Sequence, residues 1–130
     1  MLFLKKTKKF GRGVYTDTEL KAGDFLEASP VVILDAWESK RVVATILNNY
    51  VFEWDGQRSA LALGLGSIFN HSKNENVTYI INHQNKTIDF RTTRDIKKGG
   101  QLFVDYGYSV REAVRATQEN KGSAQAYERK

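Results

Sequence analysis

The chain has 130 residues with a formal net charge of +5 at neutral pH, and it contains no cysteine. This length fits one domain with a core of its own, and the composition, 41% hydrophobic and 27% charged, is typical of a globular protein. Disulfides and thiolate zinc sites are excluded, and two histidines cannot form a closed structural metal site, so we predict no metal.

The N-terminal part predicts short strands and glycine turns. Leu2 to Leu4 form an opening strand, and an exposed basic loop follows at residues 5–9. Two glycines within Phe10–Tyr15 precede the next strand, and the β-branched run Pro30–Leu34 predicts a buried one. The apolar residues at the N-terminus are too few for a secretory signal or a membrane span, so we expect an intracellular location, cytoplasmic or nuclear, and no membrane partner.

The middle of the chain predicts a helix followed by strands. A helix or helical turn is expected over Ala36–Leu47, with one apolar face, and Asn48 should break it. Tyr50–Trp54 alternates as a strand does, and Asp55-Gly56 is a turn signal. Tyr50 is then either a core aromatic or a residue that faces a site.

Two further features concern turns and hairpins. Glu19–Glu27 and Asp95–Phe103 share the order acid, aliphatic, lysine, any residue, glycine and apolar strand, which predicts the same turn twice. Residues 77–91 predict a β-hairpin whose polar loop holds His83, a residue that we expect to be exposed.

Beyond Ser109 the composition changes, so we predict a domain over residues 1–108 and a C-terminal flanking helix and tail over 109–130, partly flexible.

Two segments carry the residues best suited to chemistry. Gly64–Asn76 runs from glycine-rich to a cluster of Asn, His and Ser, which alone is more often a structural turn than a site. Val104–Tyr108 ends a predicted strand with two phenols around a glycine. Phenols near an Asn-His turn would form a narrow aromatic pocket that orients an amine and tolerates a cation.

These segments resemble one known family. Ile68–Asn76 resembles the Asn-His-Ser-x-x-Pro-Asn motif of SET-domain protein lysine methyltransferases, and Gly100–Tyr108 resembles their Glu-Leu-x-x-x-Tyr-Gly-Tyr motif. Gly11–Tyr15 resembles their Gly-x-Gly cofactor signature. The departures are Glu75 in place of proline and Gln101 in place of an acid. The three motifs stand in family order and cover most of the chain up to Tyr108.

The resemblance implies a mostly β protein. It would have the SET-domain β-clip fold, with several small sheets, little helix and a C-terminal pseudoknot that brings Asn70 and His71 beside Tyr106. Such threading has a low general frequency, and only the resemblance supports it. The family's cysteine-rich zinc flank is missing, so we expect the C-terminal segment, or a second copy in a homodimer, to complete the substrate channel.

The resemblance also assigns roles to residues. It implies S-adenosylmethionine as cofactor, bound by Gly11, Arg12, Gly13, Asn70, His71 and Tyr106. Tyr106 would be the catalytic phenol, and Tyr50, Tyr79 and Tyr108 would line the channel for the substrate lysine. Val104 leaves the usual Phe or Tyr selector position apolar, so the number of methyl groups added does not follow from the sequence.

Three functions are compatible with these observations. The first is an S-adenosylmethionine-dependent protein lysine N-methyltransferase whose partner is a protein substrate, a histone or a histone-like protein among the candidates. The second is a catalytically silent SET-like module that binds a peptide. The third is a basic β domain that binds nucleic acid, which would leave the two motifs unexplained and makes nucleic acid an unlikely direct substrate.

Overall fold

The computed structural model describes residues 1–106, which form nine strands, one α-helix and one 3₁₀ helix. The strands are β1 (Leu2–Lys6), β2 (Arg12–Thr16), β3 (Phe25–Leu34), β4 (Val51–Asp55), β5 (Arg58–Ala62), β6 (Asn70–His71), β7 (Val77–Asn82), β8 (Thr87–Thr92) and β9 (Gln101–Val104). Their order is β1-β2-β9-β7-β8-β3-β5-β4, and β6 pairs with β9 outside this path. The prediction of a mostly β fold with little helix is confirmed.

Strand β3 joins two small sheets into this order. Its first half pairs with β8 as far as Pro30, and its second half pairs with β5 from Val31 onward. Proline has no N–H for a ladder, so the change of partner falls where a hydrogen-bond donor is missing anyway. The predicted strand over Pro30–Leu34 is present as the second half of β3, but proline does not open it, because the strand begins at Phe25. The expected burial was wrong, since Val32 is 46% exposed.

The predicted helix over Ala36–Leu47 is shorter than expected. Helix α1 runs over Ala36–Val42, and its N-cap residue, Asp35, forms a capping box with Glu38. A separate 3₁₀ helix, Ile46–Asn49, follows and contains Asn48, so this residue does not act as a breaker. Ile46 is 63% exposed, and the expected apolar face is therefore not buried. No helix within residues 1–106 is long and apolar enough to cross a membrane, and the predicted helix beyond Ser109 lies outside the described residues.

Three phenylalanine rings form the centre of the core. Phe52, Phe69 and Phe90 are each at most 2% exposed, and the ring of Phe90 lies 5.0 Å from that of Phe69 and 6.0 Å from that of Phe52. Burial of each ring contributes roughly 1.5–3 kcal/mol. Because Phe69 is anchored there, the next residue, Asn70, has a fixed position at the edge of the core.

The two similar turns predicted from the sequence contact each other. Leu20 and Ile96 exchange both backbone hydrogen bonds, N to O, at 2.8 and 2.9 Å. The glycines that follow, Gly23 and Gly99, both have positive φ, at 87° and 85°. The repeated pattern thus marks two equivalent turns that pack as a pair and deliver β3 and β9 into the sheet.

A close-packed turn leads into the Asn-His segment. Glu27 accepts a hydrogen bond from the Leu65 N–H at 2.9 Å and another from the Ser29 hydroxyl. A Cβ built on Gly66 would stand 2.5 Å from Ser29 Oγ and 2.8 Å from both Ala62 and Phe90. Only glycine fits at this point without displacing core atoms.

We expect Gly66→Ala to lower stability more than Gly99→Ala. Overpacking a core costs about 1–3 kcal/mol, and about 1 kcal/mol shifts the melting temperature of a domain this size by roughly 4–8 °C. Gly99 is the matched control because its φ of 85° strains alanine while nothing lies within 4 Å. Thermal unfolding of both variants checks this, and equal losses would contradict the packing argument.

Candidate active site

The centre of the site is the crossing of three strands. Ser72 N donates to Val104 O at 3.2 Å, and Asn76 N donates to Phe103 O at 3.1 Å. Consecutive carbonyls of a strand point to opposite edges, so β6 and β7 lie on opposite edges of β9. Residues 72–76 connect β6 to β7 and must cross from one edge of β9 to the other. This crossing corresponds to the predicted pseudoknot.

Asn70 is fully buried at this crossing, and only part of its amide is paired. Its Nδ2 donates to the Arg12 carbonyl and to Gln101 Oε1, each at 3.0 Å. The Arg12 carbonyl can only accept, so it determines which end of the Asn70 amide is nitrogen. The other end, Oδ1, is buried and has no hydrogen-bond partner within residues 1–106. A buried acceptor without a partner costs about 1–3 kcal/mol unless something donates to it.

The glycine-rich turn before β2 lies directly against Asn70. A Cβ built on Gly13 would come within 2.5 Å of Gln101 Oε1 and 3.0 Å of Asn70 Nδ2, so this position requires glycine. Gly11 has a φ of 74°, and its carbonyl accepts from Thr7 N. Gly13 was expected ahead of the strand but lies within β2. The structure therefore brings Gly11, Arg12 and Gly13 together with Asn70, although they are almost sixty residues apart in sequence.

His71 and Tyr106 meet just beyond the end of β9, the strand that pairs with β6. The Tyr106 N–H donates to His71 Nδ1 at 3.2 Å, and the two rings lie 4.7 Å apart. Because Nδ1 acts as an acceptor here, it carries no proton in this arrangement. Asp105 lies 3.9 Å from the same nitrogen, too far for a hydrogen bond. His71 thus positions the Tyr106 backbone through Nδ1, and the Asp105 carboxylate lies close to the same ring.

Two phenols lie side by side at the end of β9. Tyr106 is 6% exposed, and its hydroxyl donates to the Phe69 carbonyl at 3.0 Å. The half-buried Tyr79 donates through its hydroxyl to the Tyr106 carbonyl at 3.2 Å and packs 5.0 Å from the ring of Phe52. Such fixed phenols can align an amine and exclude water, but they supply no strong acid or base. Within residues 1–106, no group of His, Asp and Glu side chains is placed to hold a metal ion.

Comparison with known proteins identifies this arrangement. The SET domain family model matches residues 11–107, which include the glycine turn, the Asn-His segment and β9. The chain belongs to the SET-domain family. A curated relative, the histone-lysine N-methyltransferase of Schizosaccharomyces pombe that is specific for H3 lysine-37, is 36% identical over 107 residues, which cover 82% of this chain and 73% of the relative.

Solved SET structures share the fold at lower identity. A candidate histone methyltransferase of Plasmodium falciparum superposes with a TM-score of 0.67 at 24% identity, over 83% of this chain and 98% of that one. A humanized mutant of the Chaetomium thermophilum Polycomb Repressive Complex 2, bound to an inhibitor, gives a TM-score of 0.68 at 22% identity, over 82% of this chain and 15% of that one. These two structures show the shared fold. The family match and the curated relative show that this SET domain is a protein-lysine methyltransferase.

The remaining predicted site residues have different outcomes. The carbonyl of Tyr50 accepts from Ser67 Oγ at 2.7 Å, which places Tyr50 beside the turn that leads to Asn70. No contact tests its role in a lysine channel, so that role stays a prediction. Tyr108 lies outside the described residues, and its role also stays a prediction. His83 is exposed, and its ring meets that of Trp54 edge-on with the centroids 4.7 Å apart, in line with its expected position in a hairpin loop.

Sequence reasoning missed two members of the SET site. Gln101 donates through Nε2 to the Tyr15 hydroxyl at 3.1 Å while its Oε1 accepts from Asn70. Tyr15 and Gln101 are direct partners in the β2–β9 ladder. The sequence shows that glutamine replaces the family's acid at position 101. The hydrogen bond of Gln101 to Tyr15 could not be predicted, because it depends on the register of two strands whose paired residues are 86 positions apart.

Proposed function

We propose that this SET domain transfers methyl groups from S-adenosylmethionine to a lysine of a histone or a histone-like protein. The observation that carries the proposal is the buried Oδ1 of Asn70, which lacks a partner within residues 1–106. It lies beside Gly13, where the missing side chain leaves room for the amides of Asn70 and Gln101 to approach the backbone. An ammonium donor, as in the amino-acid part of the cofactor, would satisfy that oxygen with a charge-assisted hydrogen bond.

The other residues of the glycine turn and the Asn-His segment fit the same cofactor. Gly11, Arg12 and Gly13 would hold its amino-acid part together with Asn70, and the His71 backbone would face its adenine. When bound, the cofactor supplies an electrophilic methyl group on a sulfonium sulfur. Gln101 would be a positioning residue, since its Oε1 accepts a hydrogen bond from the Asn70 amide and holds that amide in its orientation.

The phenols would handle the substrate amine. Methyl transfer to lysine needs a neutral amine, a linear approach and exclusion of water more than a strong acid or base. Tyr106 would align the lysine nitrogen, and its fixed hydrogen bonds to Phe69 and His71 support this role. Tyr50, Tyr79 and Tyr108 would form the walls of the channel and limit the space around the amine.

The choice of a histone rests on similarity and not on geometry. The curated relative at 36% identity is named for a histone lysine, and a substrate of that kind would place the protein with DNA in the cell. We also propose that residues 109–130, or a second copy of the chain in a homodimer, complete the channel outside residues 1–108. Size-exclusion chromatography with light scattering separates these two options.

Calorimetric titration with S-adenosylmethionine, with ATP as the control ligand, tests the cofactor assignment. We expect saturable one-site binding of the methyl donor and none of ATP. Incubation with core histones and a donor labelled in the methyl group should then label a histone lysine. Donor binding without labelling of any protein substrate would indicate a silent SET-like module, and absence of donor binding would overturn the proposal.

A further inference from the structure

The positive charge of the described residues is concentrated in one hairpin. Strands β1 and β2 and the turn between them, residues 2–16, form what we call the basic hairpin, with five cations and no acidic residue: Lys5, Lys6, Lys8, Lys9 and Arg12. Residues 17–106 carry ten basic and twelve acidic side chains, a net charge of −2. The basic hairpin therefore generates the positive field of this part of the protein.

The cations of the basic hairpin are available to a partner. All five are exposed, and none forms an ion pair with a carboxylate within residues 1–106. Lys5 Nζ lies 5.0 Å above the Tyr15 ring, and Lys9 Nζ lies 5.6 Å above the Phe10 ring. Lysines without a carboxylate partner can neutralise DNA phosphates and release the cations condensed on the duplex, which is the main source of non-specific affinity for DNA.

The backbone of the basic hairpin is held in one conformation by hydrogen bonds. Strand β1 pairs with β2 over five residue pairs, and it lies at the end of the sheet order. At the tip, Thr7 N donates to Gly11 O at 2.5 Å, and Phe10 N donates to Thr7 Oγ1 at 2.7 Å. The backbone that carries the lysines is thus held by hydrogen bonds, so binding does not require the whole turn to become ordered.

The hairpin is connected to the methyl-transfer site through Arg12. Its carbonyl accepts from Asn70 Nδ2, so the second strand of the hairpin forms part of the proposed cofactor site. A positive enzyme and a basic histone tail repel each other, and this charge is unfavourable for the substrate alone. The positive charge of the enzyme becomes favourable when DNA is wrapped around the histone, because the phosphates attract both proteins.

We propose that the basic hairpin binds the phosphate backbone of duplex DNA and thereby holds the enzyme on DNA-bound substrate. The DNA contact stands on the charge distribution alone, whereas its use for substrate recruitment rests on the proposed function. Duplex DNA carries one phosphate charge per about 1.7 Å of helix axis, and this density favours DNA over an acidic protein surface as the partner of the hairpin's five cations.

Binding of a labelled DNA duplex of about 25 base pairs, measured by fluorescence anisotropy at several salt concentrations, tests the contact. Each phosphate neutralised by lysine contributes about −0.9 to the slope of log K against log salt. The triple variant Lys6→Ala, Lys8→Ala, Lys9→Ala should reduce the magnitude of that slope by about 2–3 and weaken binding about tenfold or more. These three lysines have no place in the proposed cofactor site.

Two matched variants control for net charge and for folding. Lys40→Ala, Lys86→Ala, Lys98→Ala removes the same charge from exposed positions outside the hairpin and should leave the slope nearly unchanged. Replacing Lys6, Lys8 and Lys9 by arginine should preserve binding. Equal losses in both alanine triples, no DNA binding by the wild type at low salt, or competition by polyglutamate as strong as by unlabelled DNA would each overturn the proposal.

A methylation assay separates this inference from the proposed function. The hairpin triple should methylate free histone at least as fast as the wild type, because it repels the basic substrate less, but lose several-fold on nucleosomes, where DNA is wrapped around the same histone. Failure of the wild type to methylate free histone would contradict the proposed function and leave the DNA contact standing. Equal rates of the triple and the wild type on nucleosomes would overturn the recruiting role.

Discussion

Tyr106→Phe is expected to reduce methyl transfer about a hundredfold or more while the affinity for S-adenosylmethionine changes little. Loss of one well-placed transition-state partner typically costs about 10²–10³ in rate. The ring itself is held by its contact with His71 at 4.7 Å, so phenylalanine keeps the shape of the pocket and removes only the hydroxyl. Single-turnover transfer of a labelled methyl group, together with calorimetry of the cofactor, separates rate from binding.

The Tyr106 hydroxyl also has a structural role that the experiment must take into account. It donates to the Phe69 carbonyl, and its loss leaves a buried acceptor short of a donor, at a cost of about 1–3 kcal/mol. Transfer is therefore measured well below the melting temperature of each variant. Tyr79→Phe is the matched control, because it removes a hydroxyl that bonds to the Tyr106 carbonyl, and we expect a much smaller loss. Wild-type turnover in Tyr106→Phe would exclude the catalytic assignment.

Local patterns in the sequence were sufficient for parts of this fold. Residues 77–91 contain two strand-forming runs around a polar loop, and the paired strands β7 and β8 form the predicted hairpin. The Asp55-Gly56 turn joins β4 to β5, and Arg58 forms two hydrogen bonds to Asp55 that lower the pKa of this carboxyl. In both hairpins the paired strands are neighbours in the sequence, so the strand-forming runs and the turn residues between them are enough to predict the pairing.

The arrangement of the site residues could not be predicted from such local patterns. Asn70 and Tyr106 meet only because β9 lies between β6 and β7, and periodicity contains no information about that crossing. Family resemblance predicted it from the order of the motifs. The hydrogen bonds of Gln101 to Tyr15 and Asn70 were missed for the same reason, since they depend on pairing between strands far apart in sequence.

The end of the helix was mispredicted for a different reason. The apolar residues after Val42 suggested a continuous stripe, but Thr45 accepts from Leu47 N and starts a 3₁₀ helix instead. A threonine side chain that bonds to the backbone two residues ahead competes with the α-helical pattern. Propensity over a window does not detect this kind of local competition.

Asn70→Ala is expected to weaken S-adenosylmethionine binding about 10- to 100-fold. A hydrogen bond to a charged group contributes about 1.5–3 kcal/mol, and about 1.4 kcal/mol corresponds to a factor of ten in affinity. The substitution removes the Oδ1 acceptor and also leaves the Arg12 carbonyl and Gln101 without their donor. Calorimetric titration of the variant at low temperature, where it remains folded, measures the loss.

Asn76→Ala is the matched control, because Asn76 is also a buried asparagine at the same crossing but both ends of its amide are paired. Its Nδ2 donates to the Gln101 carbonyl at 2.9 Å, and its Oδ1 accepts from Phe103 N at 2.7 Å. Both substitutions should lower the melting temperature, since both remove hydrogen bonds at or behind β9. Only Asn70→Ala should weaken cofactor binding in the folded protein. Equal affinity losses in the two variants would mean that the Asn70 oxygen contributes through the fold alone and does not contact the cofactor.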